Sequence, residues 1–189
     1  LGVRMLFQCI DDVGHPAEKV FHLLRDDMPS LVPYLSDVEV IEVLECKELG
    51  EGRLNIINLW KASSAKAPRM VQKFLNPDLM SWKDHAIWHS EGVQRAEWRL
   101  EPKHGGSLFE CSGTTTITET TPGACRIQID GDLKIYPERL PGVPRLLAGK
   151  LRSRIESFVV AMVVPNMQTM AKGVQAYFDD KASGRLETQ

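Results

Sequence analysis

Apolar side chains recur along this chain at two spacings, and the change between them falls near residue 145. Before it they alternate with polar ones. The cleanest run is Cys125 to Tyr136, where Cys125, Ile127, Ile129, Gly131, Leu133 and Ile135 fall on one side and Arg126, Gln128, Asp130, Asp132 and Lys134 on the other. One face on a core and one in water is the pattern of an antiparallel sheet. Shorter runs of the same kind predict strands over Val3–Ile10, Val38–Cys46, Arg53–Ala62, Arg69–Leu75, Trp82–Ser90, Gln94–Glu101 and Leu108–Thr120. Turn signals separate them, among them Gly50-Glu51-Gly52, Asn76-Pro77-Asp78, Glu91-Gly92 and Pro122-Gly123, and their hairpin-like spacing predicts a meander. Gly113 and Gly131 inside strands predict bulges or sharp bends, as a curled sheet needs.

Helical spacing appears twice. His15-Pro16 opens a first helix, with Glu18 in its first turn and Val20, Phe21, Leu24 and Met28 as its apolar face. Pro29 ends it, and Ser30 to Leu35 makes a second short helical piece with Ser30 as its cap. After a loop with three prolines, Pro137–Pro144, the residues Leu151, Ile155, Phe158, Met162, Met170, Val174 and Tyr177 follow helical spacing. They predict a helix from Arg145 or Lys150 to Phe178, kinked at Pro165. Its uncharged stretch Ser157–Ala171 is 15 residues long, whereas a membrane span needs about 20, so it reads as a core helix. No other element is long enough to cover the greasy face of such a sheet. The expected fold class is α+β, a helix-grip fold: a curled antiparallel sheet of about seven strands wrapped around a long C-terminal helix, with two short helices after strand 1. Residues 1–178 form a single domain and 179–189 a polar, flexible tail.

Composition narrows the function classes. Of 189 residues 43% are hydrophobic and 25% charged, enough to bury a core. Lys and Arg number 23 against 25 Asp and Glu, a net charge of −2. A binder relying on phosphate neutralisation would be more basic, so no nucleic-acid partner is expected. Cys9, Cys46, Cys111 and Cys125 lack the C-x-x-C spacing of a zinc or redox site and fall in strand-like runs, where a free thiol acts as a small buried hydrophobe. With no secretory signal in Leu1–Ile10, they point to the cytoplasm.

Two segments carry a family likeness. Ala17-Glu18-Lys19-Val20-Phe21 after the first strand and Leu31-Val32-Pro33-Tyr34-Leu35 before the second, together with the strand series and the long last helix, resemble the START / Bet v 1-like (SRPBCC, polyketide cyclase-like) superfamily. Val38 to Leu44 followed by Gly52-Arg53-Leu54 is also similar to the PRELI/MSF1 lipid-transfer proteins, though none of that family's lipid-handling residues can be placed here. The superfamily resemblance implies a cavity between sheet and helix that holds an apolar ligand. Some members are enzymes, and many only carry or sense.

The candidate chemistry is sparse. Trp60, Trp82, Trp88 and Trp98 all fall in strands, where each would give a wide pocket a large apolar area and one N–H donor. Asn58 and Arg99 also lie on strands; one register step decides whether they face in or out. In the long helix, Glu156 either pairs with Arg152 at i, i+4 or faces the cavity as a carboxylate of raised pKa. Phe158, Met162 and Asn166 line the same helix. The ligand-binding set is therefore Trp60, Trp82, Trp88, Trp98, Arg99, Glu156, Phe158, Met162 and Asn166. His85 and His89 point away from Trp82 and Trp88, and at about 13 Å apart they cannot share a metal. No catalytic set, metal site or cofactor loop emerges. The expected function is binding or transfer of a lipid or other hydrophobic small molecule. The alternative is a polyketide cyclase/dehydrase-like enzyme drawing acid/base groups from Glu156, Asp84, His85 and Arg99. Ser63–Pro68 and Pro137–Pro144 are the expected gates, and Leu140–Leu147 would make transient membrane contact during exchange. The oligomeric state stays open.

Overall fold

Among the described residues the alternation is realised as seven strands in one antiparallel sheet. The computed structural model describes residues 3–63, 80–103, 108–139 and 145–184, with side chains from 149 onward in the last segment. The strands are β1 (Val3–Val13), β2 (Val38–Gly50), β3 (Arg53–Ala62), β4 (Ser81–His89), β5 (Arg95–Pro102), β6 (Phe109–Thr121) and β7 (Ala124–Ile135). Their order in the sheet is β1-β7-β6-β5-β4-β3-β2, so β2 to β7 form the expected meander and β1 joins its far edge. The strand expected over Arg69–Leu75 lies outside the described residues, and β3 is a hydrogen-bonded neighbour of β4.

Gly113 and Gly131 are not bulges. They sit directly opposite one another in an unbroken stretch of the β6–β7 ladder. Their reason is side-chain room. A Cβ on Gly113 would run into the carbonyl of Asp130 and lie 2.6 Å from the Trp98 ring, and one on Gly131 would run into the Phe7 ring. Each glycine lets an aromatic ring from the neighbouring strand lie against the sheet. The irregularities that bend the sheet fall elsewhere, at three points in β2 and near Glu119 in β6.

Helix α1 (Ala17–Asp26) buries Ala17, Val20, Phe21, Leu23 and Leu24; Val20, Phe21 and Leu24 are on the expected face, whereas Met28, expected with them, is buried in the next piece. The second short piece is a 3-10 helix, Met28–Tyr34, and it starts earlier than expected: Asp27, not Ser30, holds the cap position, and Ser30 donates to its carboxylate at 2.8 Å. The last helix, α2, runs from Arg145 to Ala182 without a break at Pro165, about 57 Å at 1.5 Å per residue. Leu151, Ile155, Phe158, Met162, Met170, Val174 and Tyr177 are all buried, which bears out the expected stripe. It continues past Phe178, so Asp179 to Ala182, expected in the tail, form its last turn. Tyr34 donates to Asp180 there at 3.1 Å, and Gln175 accepts from the backbone of Gly14 at 2.8 Å. These contacts hold the C-terminal half of α2 against β1 and the short helices. The buried apolar side chains of sheet, α1 and α2 form one continuous cluster. Cys9, Cys111 and Cys125 belong to it, whereas Cys46, expected to be buried like them, lies exposed on the outermost strand β2.

Candidate functional site

Three neighbouring strands set the site. Period-2 alternation turns Ile56, Asn58, Trp60 and Ala62 of β3, Trp82, Asp84, Ala86 and Trp88 of β4, and Ala96, Trp98 and Leu100 of β5 toward α2. Register then stacks them in rows. Trp60 faces Trp82, Asn58 faces Asp84 and then Leu100, Ile56 faces Ala86 and then Trp98, and Trp88 faces Ala96. Asp84 is thus the centre of the lattice, with Trp82 two residues away on its own strand and Trp60 and Trp98 on the two diagonals. Diagonal partners in such a ladder lie about 7–8 Å apart, within reach of large rings.

Large rings alternate with Ala86 and Ala96, and the small residues leave space. The result is a cavity between the sheet and α2 with about 50 Å³ open to the centre of a water molecule, room for a few waters. The four tryptophans line it from the sheet. Val163, Asn166, Met167 and Met170 of α2 close the opposite wall, and Leu24 and Met28 close one end. Trp60 and Trp82 stack at 6.2 Å between ring centroids, and Phe21 meets Trp88 edge-on at 5.5 Å.

The polar groups in this interior are few. Trp98 donates its indole N–H to Thr115 at 3.1 Å, and Asn166 donates to the carbonyl of Met162 at 2.8 Å, one turn back in its own helix. Among the described residues of the inner face of β3 to β5, three buried polar atoms have no hydrogen-bond partner: Trp60 Nε1, Asn58 Oδ1 and Asp84 Oδ1. Buried polar groups are normally paired, and these three orphans lie at adjoining ladder positions, Trp60 and Asp84 in the cavity lining itself. Asp84 is half-buried and lines the cavity. With no counter-charge beside it, burial pushes its carboxyl up from 3.8 to about 7. Burial also pushes the Cys111 thiol up to about 12, with Asp132 and Asp84 adding to the shift.

The expected ligand set divides. Trp60, Trp82, Trp88, Trp98 and Asn166 meet at the cavity. Phe158 and Met162 are buried in α2 but line a separate crevice with Asp37, Ala62 and Met80. Arg99 is placed outside: burial of Trp98 and Leu100 fixes the β5 register and sends the residue between them to the outer face, where it reaches Glu101 at 3.4 Å. Glu156 is bound by Arg152 at 2.8 Å, the i, i+4 pair, away from the cavity lining. His85 and His89 stand on the outer face beside Glu101 and Glu97, as their spacing requires. Asp84, the group at the centre, is missing from the expected ligand set, although the alternation of β4 places it between Trp82 and Ala86. Of the expected gates, Ser63 and the 3-10 turn Pro137–Arg139 are described, and the rest of both loops is outside the described residues. So are residues 140–144 of the expected membrane-contacting loop, and from Arg145 the backbone is already helical. Among the described residues no helix is long and apolar enough to cross a membrane.

No family model matches the sequence, and no curated protein matches it. Solved structures do. The chain is similar to TTHA0849 from Thermus thermophilus, at 18% identity and a TM-score of 0.61 over 91% of this chain and 98% of that one. It is similar to the Zhui aromatase/cyclase from Streptomyces sp. R1128, at 12% identity and 0.58 over 95% and 96%. It also matches one half of the di-domain ARO/CYC BexL of the BE-7585A biosynthetic pathway, at 11% identity and 0.58 over 93% of this chain and 50% of that one. These likenesses and the sheet order show the expected helix-grip fold, a curled antiparallel sheet closed by a long C-terminal helix.

Proposed function

We propose that this protein binds a small hydrophobic molecule between the sheet and α2, with Asp84 as the group that orients it. The observation that carries the reading is one cavity in which aromatic walls surround a carboxyl with no partner. Apolar contact would supply the affinity and the carboxyl the orientation. The space is too small for a drug-sized ligand as it stands, so entry needs the walls to give. Met28, Met167 and Met170 line it and are the side chains most able to do so. The four free thiols suit a reducing compartment, and the cytoplasm is the location proposed with this function.

Titration with indole, followed by isothermal calorimetry, tests the reading. The expected result is saturable binding to the wild type and at least tenfold weaker binding to Ala86→Leu, which fills the space beside Asp84. Equal binding by both proteins, or none by either, would remove the interior as a ligand site for molecules of this size.

A second reading, an acid–base reaction of the kind the aromatase/cyclase neighbour's name implies, draws on the Asp84 carboxyl: a group that titrates near neutral pH is suited to proton transfer. It would need a second reactive group near the same point, and the described cavity lining offers none with a titratable side chain other than Asp84. Binding is therefore the reading preferred.

A further inference from the structure

Resting on the ligand-binding reading above, we infer that the ligand is an organic cation, an amine with a small apolar body, whose ammonium group sits against Asp84 inside the ring of tryptophans. The inference starts from what the carboxyl lacks. Asp84 has no hydrogen bond or ion pair, and its Oδ1 is shut away from solvent. A carboxylate in such a place is costly unless something of opposite charge joins it. Among the described residues no side chain brings that charge. On β3 and β5 the facing residues are Asn58 and Leu100, and on β6 and α2 the cavity is lined by Thr115 and Asn166. Cys111, close enough to be influenced by Asp84, stays a neutral thiol. No Lys, Arg or His lines the cavity among the described residues.

What the protein brings instead is aromatic surface. Trp82 is two residues away on the same strand, Trp60 and Trp98 lie on the diagonals, and Trp88 lines the same space. A tryptophan face attracts a cation more strongly than any other side-chain ring, and the attraction grows where water is excluded. One carboxylate satisfies one side of an ammonium group, and ring faces cover the others. A neutral apolar ligand would gain from the tryptophans but would leave Asp84 as it is; a cation uses both.

Asp84 also sets a pH dependence. The empty site holds its proton up to about pH 7. An ammonium ion prefers the ionised form, so its binding displaces that proton, and affinity falls about tenfold per pH unit below this point. A neutral ligand shows no such fall.

Benzylamine and benzyl alcohol, similar in shape and different in charge, separate the possibilities by calorimetry at pH 8 and pH 5. The expected result is at least tenfold tighter binding of benzylamine at pH 8, with that preference lost both at pH 5 in the wild type and at pH 8 in Asp84→Asn. The pH arm needs no mutant, and circular dichroism confirms that Asp84→Asn is folded. If both compounds bind alike and Asp84→Asn changes nothing, or if only the alcohol binds, the cation inference fails while hydrophobic binding stands. If neither binds, both readings fail together.

Discussion

Two aspartates on this sheet meet opposite fates. Asp84 of β4 points inward, has no partner, and holds its proton up to about pH 7 because burial penalises its charge. Asp132 of β7 points outward and accepts two hydrogen bonds from Arg4, Nε at 3.0 Å and Nη2 at 2.9 Å, and that pairing lowers its pKa. Asp12 repeats the outer pattern with Arg126 at 2.7 Å. Side-chain chemistry is the same in all three; the face of the strand decides the rest. The outer face is a lattice of mutually satisfied charges along β1 and β7. The inner face of β3 to β5 leaves polar atoms unsatisfied, and such atoms are held in place only because the surrounding packing over-determines them. The proposed binding site rests on that asymmetry.

The strongest way to break this comparison is to remove the ionisation of Asp84. Unfolded, the carboxyl titrates near 3.8; folded, near 7. Between these values the folded chain holds a proton that the unfolded chain has lost, so stability falls as pH rises across that window and stays lowered above it. The difference corresponds to at most roughly 4 kcal/mol. Asp84→Asn keeps the shape and cannot ionise. It is expected to be more stable than wild type at pH 8, by up to that amount, with the gain fading toward pH 4. Urea unfolding at the two pH values measures it. A gain that does not change with pH would mean that Asp84 is not held against its charge.

Much of this is legible in the sequence because strand alternation is a local property. The run Trp82, Asp84, Ala86, Trp88 fixes one face of β4 without reference to any other strand, and it places His85 and His89 outside. The alternation in β5, Ala96, Trp98 and Leu100 against Arg95, Glu97 and Arg99, sends Arg99 to the outer face once the burial of Trp98 and Leu100 settles which side is in. Glu156 falls one position off the buried stripe of Ile155 and Phe158, close enough to mislead on a helix where neighbours differ by about 100°. What alternation cannot reach is register between strands. That Asn58 faces Asp84, that Ala86 and Ala96 open a space beside the tryptophans, and that Gly113 makes room for the Trp98 ring all depend on which residues meet across the sheet. The size of the cavity depends on the same pairing.

A smaller effect tests whether the inner face is polar by design beyond Asp84. Trp98 is the cavity tryptophan whose N–H has a partner, the hydroxyl of Thr115, while Trp60 has none. Thr115→Val keeps the shape of the side chain and removes the acceptor. A buried donor left unpaired costs about 1–3 kcal/mol, which in a chain of this size lowers Tm by roughly 2–12 °C. Calorimetric melting measures it. No change would show that the indole N–H of Trp98 is as free of consequence as that of Trp60, and that the inner face tolerates unpaired donors generally.

The smallest effect belongs to the outer face. Asp132→Asn removes the charge and one of the two acceptor oxygens that Arg4 uses, at a site open to water, where the guanidinium can be solvated at once. Exposed pairs of this kind contribute little because solvent and salt screen them. The sign is the reverse of that for Asp84: a carboxyl whose pKa is lowered in the folded chain adds stability above its unfolded pKa and loses it as pH falls through the folded value. The expected outcome is a slight fall in Tm at pH 7 in low salt, absent in about 0.5 M salt, where screening is short-ranged, and absent at acid pH. A large, salt-independent fall would show that the charge lattice of β1 and β7 holds the sheet together, and the contrast between the two faces would then lie in their partners and not in their contribution to stability.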